Sequence, residues 1–155
     1  MTSSIPVTDA ARDALAAFRT ITSLPVQWGD QDPFGHVNNV IYFRWFESAR
    51  VDLVRAMSVS LSMNNSGTGP ILASIQCDYR KQLKFPDMLH IGTAVSKIGK
   101  SSFELCHSIF SEHWNGIAAE GSCTLVIFDY IQNRPVKIPD NLRIELENSM
   151  KANQM

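Results

Sequence analysis

From Trp28 to Arg55 the chain reads W-G-D-Q-D-P-F-G-H-V-N-N-V-I-Y-F-R-W-F-E-S-A-R-V-D-L-V-R, and this stretch decides the fold. Its second half has apolar side chains at the spacing of a helix with about 3.6 residues per turn, so they fall on one face. The residues of this face are Tyr42, Trp45, Phe46, Ala49, Leu53, Ala56 and Met57. A helix with so aromatic a face requires a broad apolar surface, and we expect the rest of the chain to supply it.

The helix is predicted to begin at Asn38 or Asn39, because a short amide side chain can accept a bond from a free N–H of the first turn. The unpaired N–H groups and partial positive charge of a helix start stabilise the oxyanion of a thioester or ester under attack. Asp32 then acts as nucleophile or as general base toward water, and His36 binds the carbonyl, orients the acid or handles the proton of the leaving group.

A simpler interpretation of the same residues is structural. Asp30, Asp32, Pro33 and Gly35 are typical of a turn, and His36 and the asparagines then do no more than cap the helix. The residue types alone leave both interpretations open.

Composition limits the classes of protein. At 155 residues and 45% hydrophobic, the chain fits one domain with a single core. The net charge of -1 provides no basic field for nucleic acid or an anionic membrane. Cys77, Cys106 and Cys123 form no C-x-x-C pair and indicate buried strand residues in a reducing compartment. The chain has no basic leader and no run of about 18 apolar residues, so we expect a cytoplasmic protein outside the membrane.

The remaining elements are predicted from changes in hydrophobic period. Residues 8–20 favour a short helix capped near Thr8, Leu24 to Gly29 a strand, and Ser58 to Pro70 a loop. From Ile71 the period is two, with Ile71, Ala73, Ile75, Cys77 and Tyr79 on one half-buried face. Three further strands are predicted at 89–98, 102–110 and 117–129, joined by short turns into an antiparallel meander. A last helix starts at Pro139, with Leu142 and Leu146 on one side.

This order predicts an α+β fold in which a curved antiparallel sheet of about five strands wraps around the long central helix, with extra helices at the N- and C-termini. Residues 1–20 are expected to be an N-terminal extension with a short helix, and residues 21–150 a single domain.

The run D-x-D-P-F-G-H-V-N-N-x-x-Y-F-x-W-F-E, residues 30–47, resembles the signature of hotdog-fold acyl-CoA thioesterases, in the branch of 4-hydroxybenzoyl-CoA thioesterase. Later segments resemble that family in the same order, and the resemblance covers about residues 22–148. These segments are 78–80 with 85–89, then 98–103, 116–121, 134–135 and 138–139. The resemblance implies the hotdog fold and hydrolysis of an acyl-CoA thioester to free acid and coenzyme A.

Carried over residue by residue, the resemblance places the catalytic carboxylate at Asp32 and the oxyanion-binding amide at the backbone N–H of Asn39. A histidine at the position of His36 is common among fatty acyl thioesterases, whereas the type enzyme has an apolar residue there, so a fatty acyl substrate is expected. Tyr42, in the V-N-N-x-x-Y continuation, is expected at the substrate. The resemblance also implies a homodimer or homotetramer with active sites at subunit interfaces.

Basic side chains are expected near the phosphates of coenzyme A. Two turns, predicted to be neighbouring hairpin ends, carry Arg80, Lys81 and Lys84 on one and Lys97 and Lys100 on the other. Together they are predicted to form a local basic patch, although lysines of solvated turns fit the same pattern. Ser101 and Ser102 are expected to hold the catalytic acid or line the acyl pocket.

No metal and no cofactor are expected, apart from coenzyme A as part of the substrate. His90, His107 and His113 have no metal-ligand spacing, and Asp32 with His36 supplies too few ligands for an ion. Another hotdog branch uses a helix carboxylate as its acid, but here Glu47 is expected to pair with Arg44 or Arg50.

Three alternative functions remain open at this point. They are an acyl-carrier-protein thioesterase, a hotdog hydratase or dehydratase, and a non-catalytic module that binds acyl-CoA or acyl carrier protein.

Overall fold

An antiparallel sheet curls around one long helix in the computed structural model, which describes residues 5–57 and 67–154. The helices are α1 (Asp9–Ala14), α2 (Asn39–Arg55) and α3 (Asp140–Gln154). The strands are β1 (Thr20–Pro25), β2 (Thr68–Tyr79), β3 (Met88–Ile98), β4 (Ser102–Ser111), β5 (Gly116–Asp129) and the short β6 (Arg134–Pro135). The predicted α+β hotdog class is therefore confirmed. Of the predicted loop at 58–70, residues 58–66 lie outside the described residues, and Thr68–Pro70 already belong to β2.

The strand order is β1-β3-β4-β5-β2, with β6 added to β5. The predicted meander holds for β3, β4 and β5, but it is wrong for β2, which pairs with β5 at one edge of the sheet. Residues 80–87 connect the end of β2 to the start of β3, and an extended chain of that length reaches about 26 Å. This reach exceeds the three strand spacings, about 14 Å, that separate β2 from β3. The connection is thus a crossover and not a hairpin.

Helix α2 packs its predicted apolar face on the inner surface of the sheet. Tyr42, Trp45, Phe46, Ala49 and Leu53 are all buried, as the sequence predicts. Ala56 is the exception, since it follows the last residue of the helix, Arg55, and is exposed.

Helix α2 and the sheet come into tight contact at Gly121 of β5, beneath Phe46. A Cβ at this glycine would lie 2.5 Å from the Phe46 ring and 2.6 Å from the Gln76 carbonyl oxygen. Next to it, the Phe46 ring stacks on His107 of β4 with ring centroids 4.6 Å apart. The absence of a side chain at residue 121 is what lets the phenyl ring lie flat in the core.

The first strand lies earlier than the predicted 24–29. β1 pairs with β3 over Thr20–Pro25, and the chain then turns through a short 3-10 helix at Trp28–Asp30. The Asp30 carboxylate closes this turn by accepting the Gln27 N–H at 2.8 Å. This local bond competes with sheet pairing, so the alternation of Val26 and Trp28 does not continue as a strand.

β2 differs from its predicted burial pattern. A bulge at Ala73 shifts the register, so that Leu72 lies opposite Leu125 and Ile75 opposite Cys123. Ile71 and Ala73, predicted to be half-buried, are exposed, and so is Tyr79. Because β2 is at the edge of the sheet, no described strand covers its outer side.

The two terminal helices pack on the sheet as predicted. Thr8 caps α1, and Ala11 and Leu15 pack against Phe110 of β4. Leu142 and Leu146 of α3 are buried in the core cluster that also contains Leu53 of α2. No helix within residues 5–57 and 67–154 is both long enough and apolar enough to span a lipid bilayer.

Candidate active site

A cleft of about 330 Å³ lies at the N-terminal end of α2. The loop before the helix contributes Asp32, His36 and Val37, and the helix contributes Asn39 and Tyr42. The other wall is the end of β2 and the chain that follows it, from Tyr79 to Leu83. The three predicted catalytic residues, Asp32, His36 and Asn39, therefore border one cavity.

The loop from Gln31 to Val37 holds Asp32 in place. The Asp32 N–H donates to the His36 carbonyl at 2.8 Å, and the Gly35 N–H donates to the Asp32 carbonyl at 3.0 Å. Gly35 has a φ of 79°, a conformation that side-chain-bearing residues rarely adopt. Asp32 Oδ1 accepts the Phe34 N–H at 2.9 Å, and Oδ2 has no donor among the described residues. One oxygen of the carboxylate thus fixes its orientation and the other is left for chemistry.

Two hydrogen bonds attach this loop to residues 80–87, and a third joins the residues on either side of the loop. The Val37 N–H donates to the Leu83 carbonyl at 2.8 Å, and the Asn38 N–H donates to the Asp30 carbonyl at 2.9 Å. The Gln31 side-chain oxygen accepts the Phe85 N–H at 3.2 Å. The loop and residues 80–87 consequently form a single hydrogen-bonded wall around the cleft.

The start of α2 leaves one amide unpaired. Asn38 is the N-cap, since its Oδ1 accepts the Val40 N–H and its carbonyl accepts the Ile41 N–H, each at 3.0 Å. The Asn39 N–H has no acceptor within the described part of the chain. This donor belongs to a residue that lines the cleft and lies where the helix dipole is most positive.

Two tyrosines close the inner end of the cleft. The Tyr42 and Tyr79 rings meet edge to face, with centroids 4.8 Å apart, and the Tyr79 hydroxyl donates to the Asn39 carbonyl at 3.1 Å. Burial raises the pKa of the Tyr42 hydroxyl, with smaller contributions from Cys77 and Tyr79. Burial likewise raises the pKa of the adjacent Cys77 to about 11, so this residue is a protonated thiol near neutral pH.

Sequence reasoning placed Tyr42 at the substrate but missed Tyr79, Gln82 and Leu83. Tyr79 was interpreted only as a strand residue, and the crossover that brings residues 79–83 to the helix has no local signal. The position of Tyr79, at the end of a strand and next to two basic residues, is the one feature that marks it.

The predicted cations divide into two groups. Arg80 and Lys81 border the cleft, where Arg80 pairs with Glu120 at 3.0 Å and the Lys81 ammonium lies 4.8 Å from the Trp114 ring centroid. Lys84 follows them in the same connection.

The second group is at the other end of the sheet and consists of Lys97, Lys100, Ser101 and Ser102. The stretch of β3 from Met88 to Lys97 separates the two groups by about 30 Å along the strand. The expectation of neighbouring hairpin ends is therefore wrong within one chain, because β2 and β3 are not a hairpin.

Glu47 has no salt bridge within the described residues, so its predicted pairing with Arg44 or Arg50 is wrong. The geometry of the helix explains this, since Arg50 turns inward toward His107 and Cys123, whose pKa values both respond to its charge. In the part of the chain that the structure describes, no three His, Cys, Asp or Glu side chains converge in a way that would hold a metal ion.

Comparisons with known proteins agree with this geometry. Residues 26–146 match the model of the thioesterase-like superfamily. Over 89 residues the chain is 33% identical to YsmA of Bacillus subtilis, a match that covers 57% of this chain and 59% of that protein. It is 25% identical over 130 residues to the long-chain acyl-CoA thioesterase FadM of Escherichia coli, covering 84% of this chain and 98% of FadM.

Solved structures share the fold over most of the chain. The PA2801 protein of Pseudomonas aeruginosa is 30% identical, with a TM-score of 0.72, and the match covers 82% of this chain and 97% of that one. The PA5185 protein of the same organism is 26% identical, with a TM-score of 0.75 and coverage of 87% and 94%. Since the family model spans well over half of the sequence, the chain belongs to the thioesterase-like superfamily.

Proposed function

We propose that this protein hydrolyses a fatty acyl-CoA thioester to the free acid and coenzyme A. The observation that carries the proposal is the cleft in which the free oxygen of Asp32, the His36 side chain and the unpaired Asn39 N–H come together. The match to FadM, named as a long-chain acyl-CoA thioesterase, supports a fatty acyl group.

In the proposed reaction, the thioester carbonyl oxygen lies at the Asn39 N–H, where the helix dipole stabilises the negative charge that develops on it. Asp32 Oδ2 either attacks the carbonyl carbon or takes a proton from the water that does. The C–S bond breaks with its electron pair on sulfur, and the sulfur receives a proton to give the coenzyme A thiol. If Asp32 attacks, a mixed anhydride forms and water then cleaves it, which returns the Asp32 carboxylate and gives the free acid. If water attacks directly, its oxygen enters the free acid. In both routes the water supplies, overall, the proton that the sulfur receives, and His36 is proposed to lie beside the carbonyl or the leaving group.

The coenzyme A part of the bound substrate is expected to extend out of the cleft past Arg80 and Lys81. Both side chains are exposed, and each is held by a partner that leaves donors available to phosphate: Glu120 for Arg80 and the Trp114 ring for Lys81. Lys84, on the same connection, adds a third positive charge.

A second copy of the chain is proposed to pair along β2, giving a homodimer or homotetramer. β2 is a sheet edge with exposed apolar side chains, which is the kind of strand that pairs with another chain. Antiparallel pairing places the start of β2 of one copy beside the end of β2 of the other. Ser101 lies near that start, since its carbonyl accepts the Ile127 N–H and Ile127 pairs with Pro70. Lys100, Ser101 and Ser102 of one copy would thereby approach the cleft of the other.

The test is release of thiol from short, long and aromatic acyl-CoA substrates. We expect Asp32→Asn and Asp32→Ala to lower kcat by about 100-fold or more, the usual contribution of a catalytic acid or base. Asp30→Asn is the matched control, because this neighbouring aspartate caps the 3-10 turn with an oxygen that asparagine also has. Wild-type turnover in the Asp32 variants would contradict the proposal.

The same assay separates the alternatives. Thiol release only from acylated carrier protein would identify a carrier-protein thioesterase. Loss of enoyl absorbance without thiol release would identify a hydratase, and tight acyl-CoA binding without either reaction a binding module.

A further inference from the structure

We infer that Tyr79 is a positioning residue that holds the Asn39 N–H toward the thioester carbonyl through a hydrogen bond to the carbonyl of the same residue. The inference rests on the proposed function. It concerns a side chain on the edge strand β2 that is distant in sequence from the motif at 30–47.

The bond acts on the residue that has the free amide. The Tyr79 hydroxyl donates to the Asn39 carbonyl at 3.1 Å, whereas the Asn39 N–H has no acceptor among the described residues. The N–H and the carbonyl lie on either side of one Cα, so fixing the carbonyl limits rotation of the backbone that aims the N–H. Asn39 is the first residue of the helix, and helix ends that nothing restrains fray.

The Tyr79 hydroxyl is itself held in place from the side. Its ring lies edge-on against Tyr42, at 4.8 Å and 85°, and Tyr42 is 3% exposed. Tyr42 is fixed in turn by Trp45, with ring centroids 5.1 Å apart, and by the Leu83 backbone. The buried Tyr42 ring therefore restricts the Tyr79 ring, which fixes the position of the Tyr79 hydroxyl at the surface of the cleft.

The bond also joins two elements that otherwise have few contacts. β2 packs mainly against β5, and Tyr79 is at its end, paired with Ala119. Within the described residues, its hydroxyl makes the hydrogen bond that connects β2 to the first turn of α2. Loss of this bond removes the tie between β2 and Asn39, whereas the N-cap at Asn38 and the strand pairs of β2 stay in place.

Tyr79→Phe removes the hydroxyl and keeps the ring against Tyr42. A displaced oxyanion donor weakens binding of the transition state and not of the substrate, so we expect kcat to fall by about 10-fold and KM to change by less than about 2-fold. The matched control is Tyr130→Phe, which removes a hydroxyl that donates to the Pro70 carbonyl at 2.7 Å, at the other end of the same strand. The control is expected to retain wild-type kcat.

An NMR measurement provides a second readout that does not require turnover. In Tyr79→Phe the amide signals of Asn39 and Val40 are expected to shift and their hydrogen exchange to accelerate, and in Tyr130→Phe they stay as in the wild type.

The outcomes separate the two proposals. Wild-type kcat in Tyr79→Phe, together with an inactive Asp32→Asn, overturns the role of Tyr79 and leaves thioester hydrolysis standing. A raised KM with unchanged kcat also overturns it, because Tyr79 would then contact the substrate. If the wild type hydrolyses no thioester, the proposed function fails and the amide signals alone decide whether Tyr79 holds the helix start.

Discussion

α2 and β2 each have an apolar stripe that the sequence predicts, yet the chain buries one and leaves much of the other exposed. Along α2 the stripe from Tyr42 to Leu53 is covered by the curled sheet. Along β2 the exposed apolar residues include Ile71 and Ala73 of the predicted stripe and their neighbour Leu72, which is 41% exposed although it lies opposite the buried Leu125. Periodicity thus identifies an element and its apolar face, but it does not say whether the same chain covers that face.

The difference follows from position in the fold. α2 passes through the concave side of the sheet, so strands contact it on several sides. β2 is at an edge, with β5 on one side and, among the described residues, no strand on the other. An edge strand with apolar residues is the site at which we propose the second copy, and three experiments test whether the two stripes differ as described.

Leu53→Ala tests the covered stripe and has the largest expected effect. Leu53 is 1% exposed and packs in the cluster that joins α2 to α3. Removing its branched end leaves a cavity, so we expect the free energy of unfolding to fall by about 2–5 kcal/mol. Urea unfolding of the two proteins measures this. A loss below about 1 kcal/mol would mean that α2 is not covered as tightly as the structure has it.

Acid titration tests how completely α2 excludes water from the sheet. Burial beneath Phe46, with a smaller contribution from Arg50, lowers the pKa of His107 to about 3. Below the unfolded pKa of about 6.5 the unfolded chain binds a proton that the folded chain does not, so stability is complete above that pH and falls as pH drops toward 3. The loss is about 1.4 kcal/mol per pH unit at most, or about 2 kcal/mol between about pH 6.5 and about pH 5.

The control is His107→Gln, which removes the titrating ring and should flatten that part of the stability profile. Urea midpoints at several pH values provide the comparison. An equal slope in both proteins would show that the histidine is not shielded by the helix.

Leu72→Ala applies the first substitution to the open stripe and has the smallest expected effect. Because the side chain is already 41% exposed, we expect a loss below about 1 kcal/mol in the isolated chain. Under the proposed pairing through β2, the effect grows with protein concentration, which sedimentation and unfolding at two concentrations measure together. A loss as large as that of Leu53→Ala at low concentration would erase the contrast between the two stripes.

The sequence predicts well what is local. The N-cap at Asn38, the buried face of α2 and the bounds of β3, β4 and β5 all follow from capping and periodicity. The bulge at Ala73 and the exposed edge at β2 do not, because each depends on the partner strand and not on the strand itself. The end of β1 was predicted too late because a side-chain bond at Asp30 overrides the alternation of Val26 and Trp28.

The candidate site divides in the same way. Asp32, His36 and Asn39 lie within eight positions of one another, so a turn and a helix start are enough to bring them to one cleft. Tyr79 reaches the cleft at the end of the edge strand β2 and Leu83 through the crossover at 80–87, and no pattern in the sequence marks their approach to the helix. Lys97 and Lys100 were grouped with Arg80 only on the assumption of a hairpin, and within one chain they lie with Ser101 and Ser102 at the other end of the sheet.

Gly121 has a consequence for how this protein can change. A methyl group there would meet the Phe46 ring, which a smaller residue at position 46 would relieve, but it would also meet the Gln76 carbonyl, which no side-chain exchange removes. The usual route of stabilising a protein by replacing glycine with alanine is therefore closed at this position. In a library that varies every residue, we expect position 121 to return glycine whatever stands at 46, whereas 46 itself accepts other flat or slender side chains. We therefore expect the glycine at the centre of β5 to stay unchanged while residues of the cleft vary.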